Sequence, residues 1–188
     1  MPAGKIMIVR HAEKPTDPGA TPEIGGVAAD GQQNPEELIV RGWQRSGGLA
    51  RLFAPRDGHF VDPRLATPHT IFASKVGHHS ASLRPQHTVL ELAKVLGLTL
   101  NTDYKKDDFA EMTTAAMGTS GVVLVAWEHQ DIPSIGNQIV GNSTTVPQSW
   151  PGSRFDIVWV FDAHSSGWMF TQVPQLLLSG DSATPIAD

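Results

Sequence analysis

The sequence predicts an α/β domain, a three-layer α/β/α sandwich with a mostly parallel central sheet and one antiparallel edge strand. Three observations carry this. Apolar runs at 6–9, 70–74 and 121–127 have the composition of strands. Each is followed by a stretch whose apolar residues recur at helical spacing, and strands alternating with helices give a parallel sheet. The last two runs, 155–162 and 168–173, are separated by a tight turn around Ser165-Ser166-Gly167, so they form a hairpin and the final strand is an antiparallel edge.

The first strand, Ile6 to Val9, stops abruptly at Arg10, His11 and Glu13. Residues 14–36 are rich in proline and glycine and poor in large apolar residues, which predicts a long irregular loop. Loops of that length in compact domains are functional flaps or disordered, and this one leaves the strand beside Arg10 and His11, as a rim or lid would. From Glu36 to Phe53, the residues Leu38, Trp43, Leu49, Leu52 and Phe53 share a helical face, although Gly47 and Gly48 each weaken the helix by about 1 kcal/mol relative to alanine. Residues 55–69 are loop, and Thr70 to Ser74 is a second, β-branched and aromatic strand.

Pro85 opens the next helix, which runs to about Leu96 with Val89, Leu92, Ala93 and Leu96 as its buried stripe and Gly97 as its stop. That places Arg84 at the cap, where a helix N-terminus already favours an anion. A further helix is expected from Asp107 to Met117. Gly121 to Trp127 is continuously apolar, as in a strand buried on both faces, and ends at Glu128-His129-Gln130-Asp131. Pro133 starts a helix that Gly141 ends; 142–155 is loop, and the tail from Ser179 reads as frayed.

At 188 residues the chain suits one well-cored domain. A net charge of −5 and a pI of about 5.9 argue against a nucleic-acid binder. Any anionic ligand must be drawn by local arginines against the global field. With no cysteine, disulfides, thiol catalysis and cysteine-ligated zinc are excluded. The N-terminal residues run into a strand without a leader-like apolar region, and no apolar run approaches the roughly 20 residues of a membrane span. A cytoplasmic protein without membrane association is the expectation.

Three segments thus place Arg or His just beyond a strand or at a helix start: Arg10 with His11, Arg84, and His129. Ile8-Val9-Arg10-His11-Ala12-Glu13 resembles the Arg-His-Gly motif of the histidine phosphatase (phosphoglycerate mutase-like) superfamily, with Ala12 in place of glycine. Ser82-Leu83-Arg84-Pro85-Gln86-His87-Thr88 resembles the segment with the family's second arginine and a threonine four residues on. Val123 to His129 resembles the strand that delivers its second histidine. Leu38-Ile39-Val40-Arg41-Gly42-Trp43-Gln44 resembles the Leu-Thr-x-x-Gly-x-x-Gln helix start, with Ile39 where threonine is usual. The ordered set spans residues 6 to about 140, and the chain resembles the small phosphohistidine-phosphatase or broad phosphomonoesterase members more than the large acid phosphatases.

The residue types suit phosphoryl transfer, which is a matter of positioning and of stabilising charge on three equatorial oxygens. Arg10 and Arg84 offer planar paired donors. His11 would attack phosphorus through one ring nitrogen while the other donates to a fixed acceptor, and flanking guanidinium groups would lower its pKa. The resemblance implies that His129 binds the phosphoryl group. The general acid stays open among Asp107, Asp108, Glu111, Glu128 and Asp131; the resemblance also allows that there is none, since some small members of the superfamily acting on phosphohistidine, a better leaving group, lack a dedicated acid. Glu13 is expected to orient Arg10 or the backbone.

Neither a metal nor another cofactor is expected: His78 and His79, near His69 and His87, have no carboxylate spacing to complete a ligand set. Lys14, Lys75 and Arg45 read as solvated charge, Trp127 and Trp159 as core, and Trp150 as a pocket wall. The expectation is a metal-independent, ping-pong phosphatase acting on a phosphorylated small molecule or phosphoprotein. The alternatives are a noncatalytic phosphate- or phosphoprotein-binding module and a phosphoglycerate mutase. Substrate and oligomeric state stay open.

Overall fold

The computed structural model describes residues 2–17, 19–77 and 80–187; His78 and His79 lie outside them. The elements are β1 (Ala3–Arg10), α1 (Val40–Phe53), β2 (Thr70–Ala73), α2 (Arg84–Leu96), α3 (Phe109–Gly118, after a 3₁₀ turn at Lys106–Asp108), β3 (Gly121–Trp127), α4 (Ile132–Val140), β4 (Ile157–His164) and β5 (Gly167–Pro174). The sheet order is β2-β3-β1-β4-β5.

Alternation along each strand builds two cores. Ile6, Ile8, Val123, Val125, Trp159 and Phe161 face Met112 of α3 and Ile132, Ile135 and Ile139 of α4. Met7, Val9, Leu124, Ala126, Val158 and Val160 face Leu49 and Phe53 of α1 and Val89 and Leu92 of α2. A side-chain period of two separates these sets cleanly. The three-layer expectation therefore matches, with two of the helices on each side of the sheet.

The strand directions need correction. β3 pairs parallel with β1 and with β2, whereas β4 pairs antiparallel with both β1 and β5. The reversed strand is thus β4, inside the sheet, and not the edge strand β5; "mostly parallel" overstates the pairing. The cause is the segment 141–156, which returns the chain to the edge where β1 ends. Val9 pairs with Val158, so the residues just before β4 lie just beyond Val9, beside Arg10.

Two helix starts shift slightly. Helical structure before Phe53 begins only at Val40, and Ile39 caps it without a side-chain hydrogen bond. Arg84 is the first residue of α2, not its cap; Leu83 takes that place, and Gly97 ends the helix at φ 65°. The tail is not frayed: Ile186 is buried and its N–H donates to Gln172 Oε1, Ser182 N–H donates to Asp156, and Asp181 is held by Arg45. Polar, aperiodic sequence concealed these long-range contacts. No helix among the described residues is long and apolar enough to cross a membrane.

Candidate active site

β1 and β3 run side by side and end together, Arg10 opposite Trp127. Whatever follows each strand is therefore delivered to one spot, and His11 N–H donates to the Trp127 carbonyl at 3.0 Å to lock the two exits. From α2, Thr88 Oγ accepts from Ala12 N–H and donates to the Arg84 carbonyl, both at 2.7 Å. One threonine thereby ties the turn after β1 to the start of α2. Gly42 of α1 packs against the same turn, where a Cβ would sit 2.7 Å from the Glu13 carbonyl oxygen.

A cavity of about 210 Å³ opens at this edge, lined by His11, Arg84, Glu128, His129, Lys14 and Lys106. Larger clefts lie elsewhere, one beside Val61 and Leu176 and another beside Val40 and Trp43. Chemistry decides between them. Of the seven buried side-chain polar atoms without a partner among the described residues, five belong to Arg10, Arg84, Glu128 and His129. Buried polar groups are normally satisfied, so this concentration marks where a ligand completes the hydrogen bonding.

Arg10 is 1 % exposed. Its Nη1 donates to the Gly152 and Arg154 carbonyls at 2.6 and 3.0 Å, and its guanidinium lies 3.8 Å from the centre of the Phe155 ring. Nε and Nη2 stay unpaired. Burial lowers its pKa to about 10, with Glu13 opposing and Arg84 adding, so it stays a cation at neutral pH. Arg84 donates from Nη1 to the Pro35 carbonyl at 3.0 Å, leaving Nε buried and free. Since Leu83 N–H also donates to the Glu36 carbonyl, the end of the 14–36 loop is fastened to the start of α2.

His11 is buried, and its Nδ1 lies 2.8 Å from the Ala12 carbonyl. A carbonyl only accepts, so Nδ1 carries the proton. Burial first, then the charges of Arg10, Arg84 and His129, depress the His11 pKa to about 3 against the raising effect of that hydrogen bond. A neutral imidazole protonated on Nδ1 has a bare lone pair on Nε2. His129 is likewise depressed, to about 4, by burial and then by Arg10 and Lys14; its Nδ1 is buried without a partner.

No protein-family model matches the sequence, and no curated protein matches it either. Solved structures do. One, assigned as the phosphohistidine phosphatase SixA of Agrobacterium tumefaciens, aligns with a TM-score of 0.52 at 16% identity over 89% of this chain and 96% of its own. The chain shares the fold of that structure. A second, assigned as an alpha-ribazole-5'-P phosphatase of Escherichia coli, aligns at 0.51 and 10% identity over 89% and 94%.

Within that fold the structure brings together Arg10, His11, Arg84 and His129, and it separates the five carboxylate candidates. Asp107 and Glu111 are exposed, and Asp108 accepts from Lys105 N–H at the 3₁₀ turn. Asp131 is half-buried ahead of α4, with its pKa raised by burial. Only Glu128 of the five lines the cavity.

Other expectations need correcting. Glu13 does not bond Arg10: its carboxylate accepts from Arg45 at 2.8 Å and Arg41 at 3.2 Å. Arg45 is not solvated; it is 1 % exposed, bridges Glu13 to Asp181 and Gln175, and has its pKa raised by those carboxylates despite burial. Trp150 is no pocket wall. It packs on Trp159 with centroids 5.2 Å apart, and its indole N–H donates to the Arg154 carbonyl that also receives Arg10. Sequence reasoning missed Phe155 and the 152–154 carbonyls; the only signal was their position ahead of a strand. Lys75 is exposed, as expected. Among the described residues no group of three His, Asp or Glu side chains is placed to hold a metal ion.

Proposed function

We propose that the chain is a metal-independent phosphatase that hydrolyses phosphomonoesters or phosphohistidine through a phosphohistidine intermediate on His11. The observation that carries this is the fixed tautomer of His11: Nδ1–H donates to the Ala12 carbonyl, and Nε2 is left as a bare nucleophile. The two phosphatase-named structures with the same fold support the reading.

In this mechanism the unpaired Nε and Nη2 of Arg10 and Nε of Arg84 bind the phosphoryl oxygens, filling donors that are otherwise buried unsatisfied. His11 Nε2 attacks phosphorus in line with the departing group. The new N–P bond leaves the imidazolium charge next to the Ala12 carbonyl, which stabilises it. His129, neutral at working pH, holds the transferred phosphoryl group, and water attacks phosphorus in the second half-reaction. The partner is a phosphorylated small molecule or phosphoprotein, and the cytoplasm is the proposed compartment.

The test is turnover of p-nitrophenyl phosphate in EDTA, comparing the intact chain with His11→Ala. The expected result is activity in EDTA that falls at least 10⁴-fold in the variant, on the order of the loss seen when a catalytic nucleophile is removed. Absence of turnover in both, with phosphate still bound, would establish a binding module instead. Activity abolished by EDTA would end the metal-free reading.

A further inference from the structure

We propose that Glu128 is the general acid of this site, and that the site is consequently built for phosphomonoesters of poor, alkyl-type leaving groups. The proposal rests on the phosphatase reading above and goes beyond it in naming both the residue and the substrate class.

Glu128 follows β3 directly and lines the cavity beside His11, Arg84 and His129. It is 9 % exposed. Oε1 accepts a long hydrogen bond from Ser74 Oγ at 3.3 Å, and Oε2 is buried with no partner among the described residues. An ionised carboxylate so poorly solvated is costly, and the group relieves the cost by holding a proton. A carboxyl group with its proton on Oε2 then needs an acceptor, and the one that arrives in this cavity is the substrate's bridging oxygen.

Burial outweighs the charges around it. Burial raises the Glu128 carboxyl above its usual range and the Asp131 charge adds to this, while its own backbone N–H, Ser74 and Lys106 pull the other way. Arg84 is near enough to feel a Glu128 charge and, as a cation, opposes proton retention, whereas His11 and His129 across the cavity are neutral and add no such pull. An acid beside two neutral imidazoles is the division of protonation states that this chemistry requires.

The step balances. As the Nε2 lone pair of His11 forms the N–P bond, the P–O bond breaks, its electron pair stays on the bridging oxygen, and the Glu128 proton joins that oxygen to release an alcohol. In the second half-reaction Glu128 carboxylate takes a proton from water while the water oxygen bonds phosphorus. The N–P electrons return to Nε2, phosphate leaves, and Glu128 is again protonated. Such help matters when the leaving alkoxide is unstable. It is dispensable for nitrophenolates, and for phosphoramidates, whose nitrogen readily takes its own proton.

The experiment measures kcat/KM, which reports events up to leaving-group departure, for glycerol 2-phosphate, p-nitrophenyl phosphate, 2,4-dinitrophenyl phosphate and phosphoramidate, with the intact chain and Glu128→Gln. The expected result is a loss of about 10²–10⁴-fold on the glycerol ester and of less than about tenfold on the dinitrophenyl ester and phosphoramidate. Activity on the last two certifies the variant's fold. The intact chain supplies a reading free of any variant: its profile on glycerol phosphate falls on the alkaline side as Glu128 ionises, and the dinitrophenyl profile does not. A uniform loss across leaving groups, no loss at all, or matching alkaline limbs on both esters overturns the acid assignment while leaving the phosphatase reading intact. No turnover of any ester by the intact chain overturns the phosphatase reading, and the acid with it.

Discussion

A histidine that attacks phosphorus must stay unprotonated on one nitrogen, and an ordinary imidazole is half protonated near pH 6.5. Here both histidines of the site are depressed, His11 to about 3 and His129 to about 4. The consequence has a definite sign: a lowered pKa keeps the neutral form dominant down to more acidic solution. The kcat/KM for p-nitrophenyl phosphate, corrected for the substrate's own ionisation, should therefore show no imidazole break between pH 5 and 7 and should fall only as pH drops through about 4. A pH–rate profile checks this, and a break near 6.5 would mean that His11 is solvated and ordinary. The residues behind this behaviour were legible in part. Arg10, His11, Arg84 and His129 each stand at the end of a recognisable strand or the start of a helix. The hydrogen bond from Nδ1 to Ala12, which chooses the tautomer, depends on a turn geometry that no residue pattern announces.

At the scale of elements, the parallel exit of β1 and β3 makes the site and Thr88 of α2 fixes its distance from the helix. Thr88→Val keeps the shape and removes the hydroxyl, leaving the Ala12 N–H buried without an acceptor. The expected cost is about 1–3 kcal/mol, seen as a lower urea midpoint at unchanged slope. The turn carrying His11 loses its tether too, so kcat/KM should fall by roughly tenfold or more. Each strand and helix was announced by composition and period, including the Pro85 start and the Gly97 and Gly141 stops. The direction of β4 was not. A hairpin signal states that β4 and β5 are antiparallel to each other but not which of them runs against β1. That choice lies in the irregular segment 141–156, whose own carbonyls hold Arg10.

For the molecule as a whole, the net charge is −5, so attraction of an anion is a local property of Arg84, Lys14 and Lys106 in the cavity lining and of the Arg10 guanidinium buried beside His11. The other global feature is the buried bridge from Glu13 through Arg45 to Asp181, at 2.8 and 2.7 Å. Removing one partner of a buried ion pair typically costs about 3–5 kcal/mol. Asp181→Ala should lose about that much in urea unfolding, less whatever Glu13 and Gln175 still supply to Arg45. A loss below about 1 kcal/mol would mean the bridge is solvated. Charged residues 136 apart that neutralise one another in the interior leave no periodic trace, which is why Arg45 read as surface and the tail as frayed.

That bridge also has a consequence for how the chain is made. Glu13 sits two residues from His11, the proposed nucleophile, yet part of the network that holds its partner Arg45 is translated only with Asp181. At about 5–20 residues per second, synthesis separates the two by roughly 10–30 s. During that interval a nascent chain carries an Arg45 guanidinium short of one of its two carboxylates, next to the turn that carries His11. The segment around Asp181 thus acts as a late fastener, and the turn carrying His11 reaches its final setting only after residue 181 has been made.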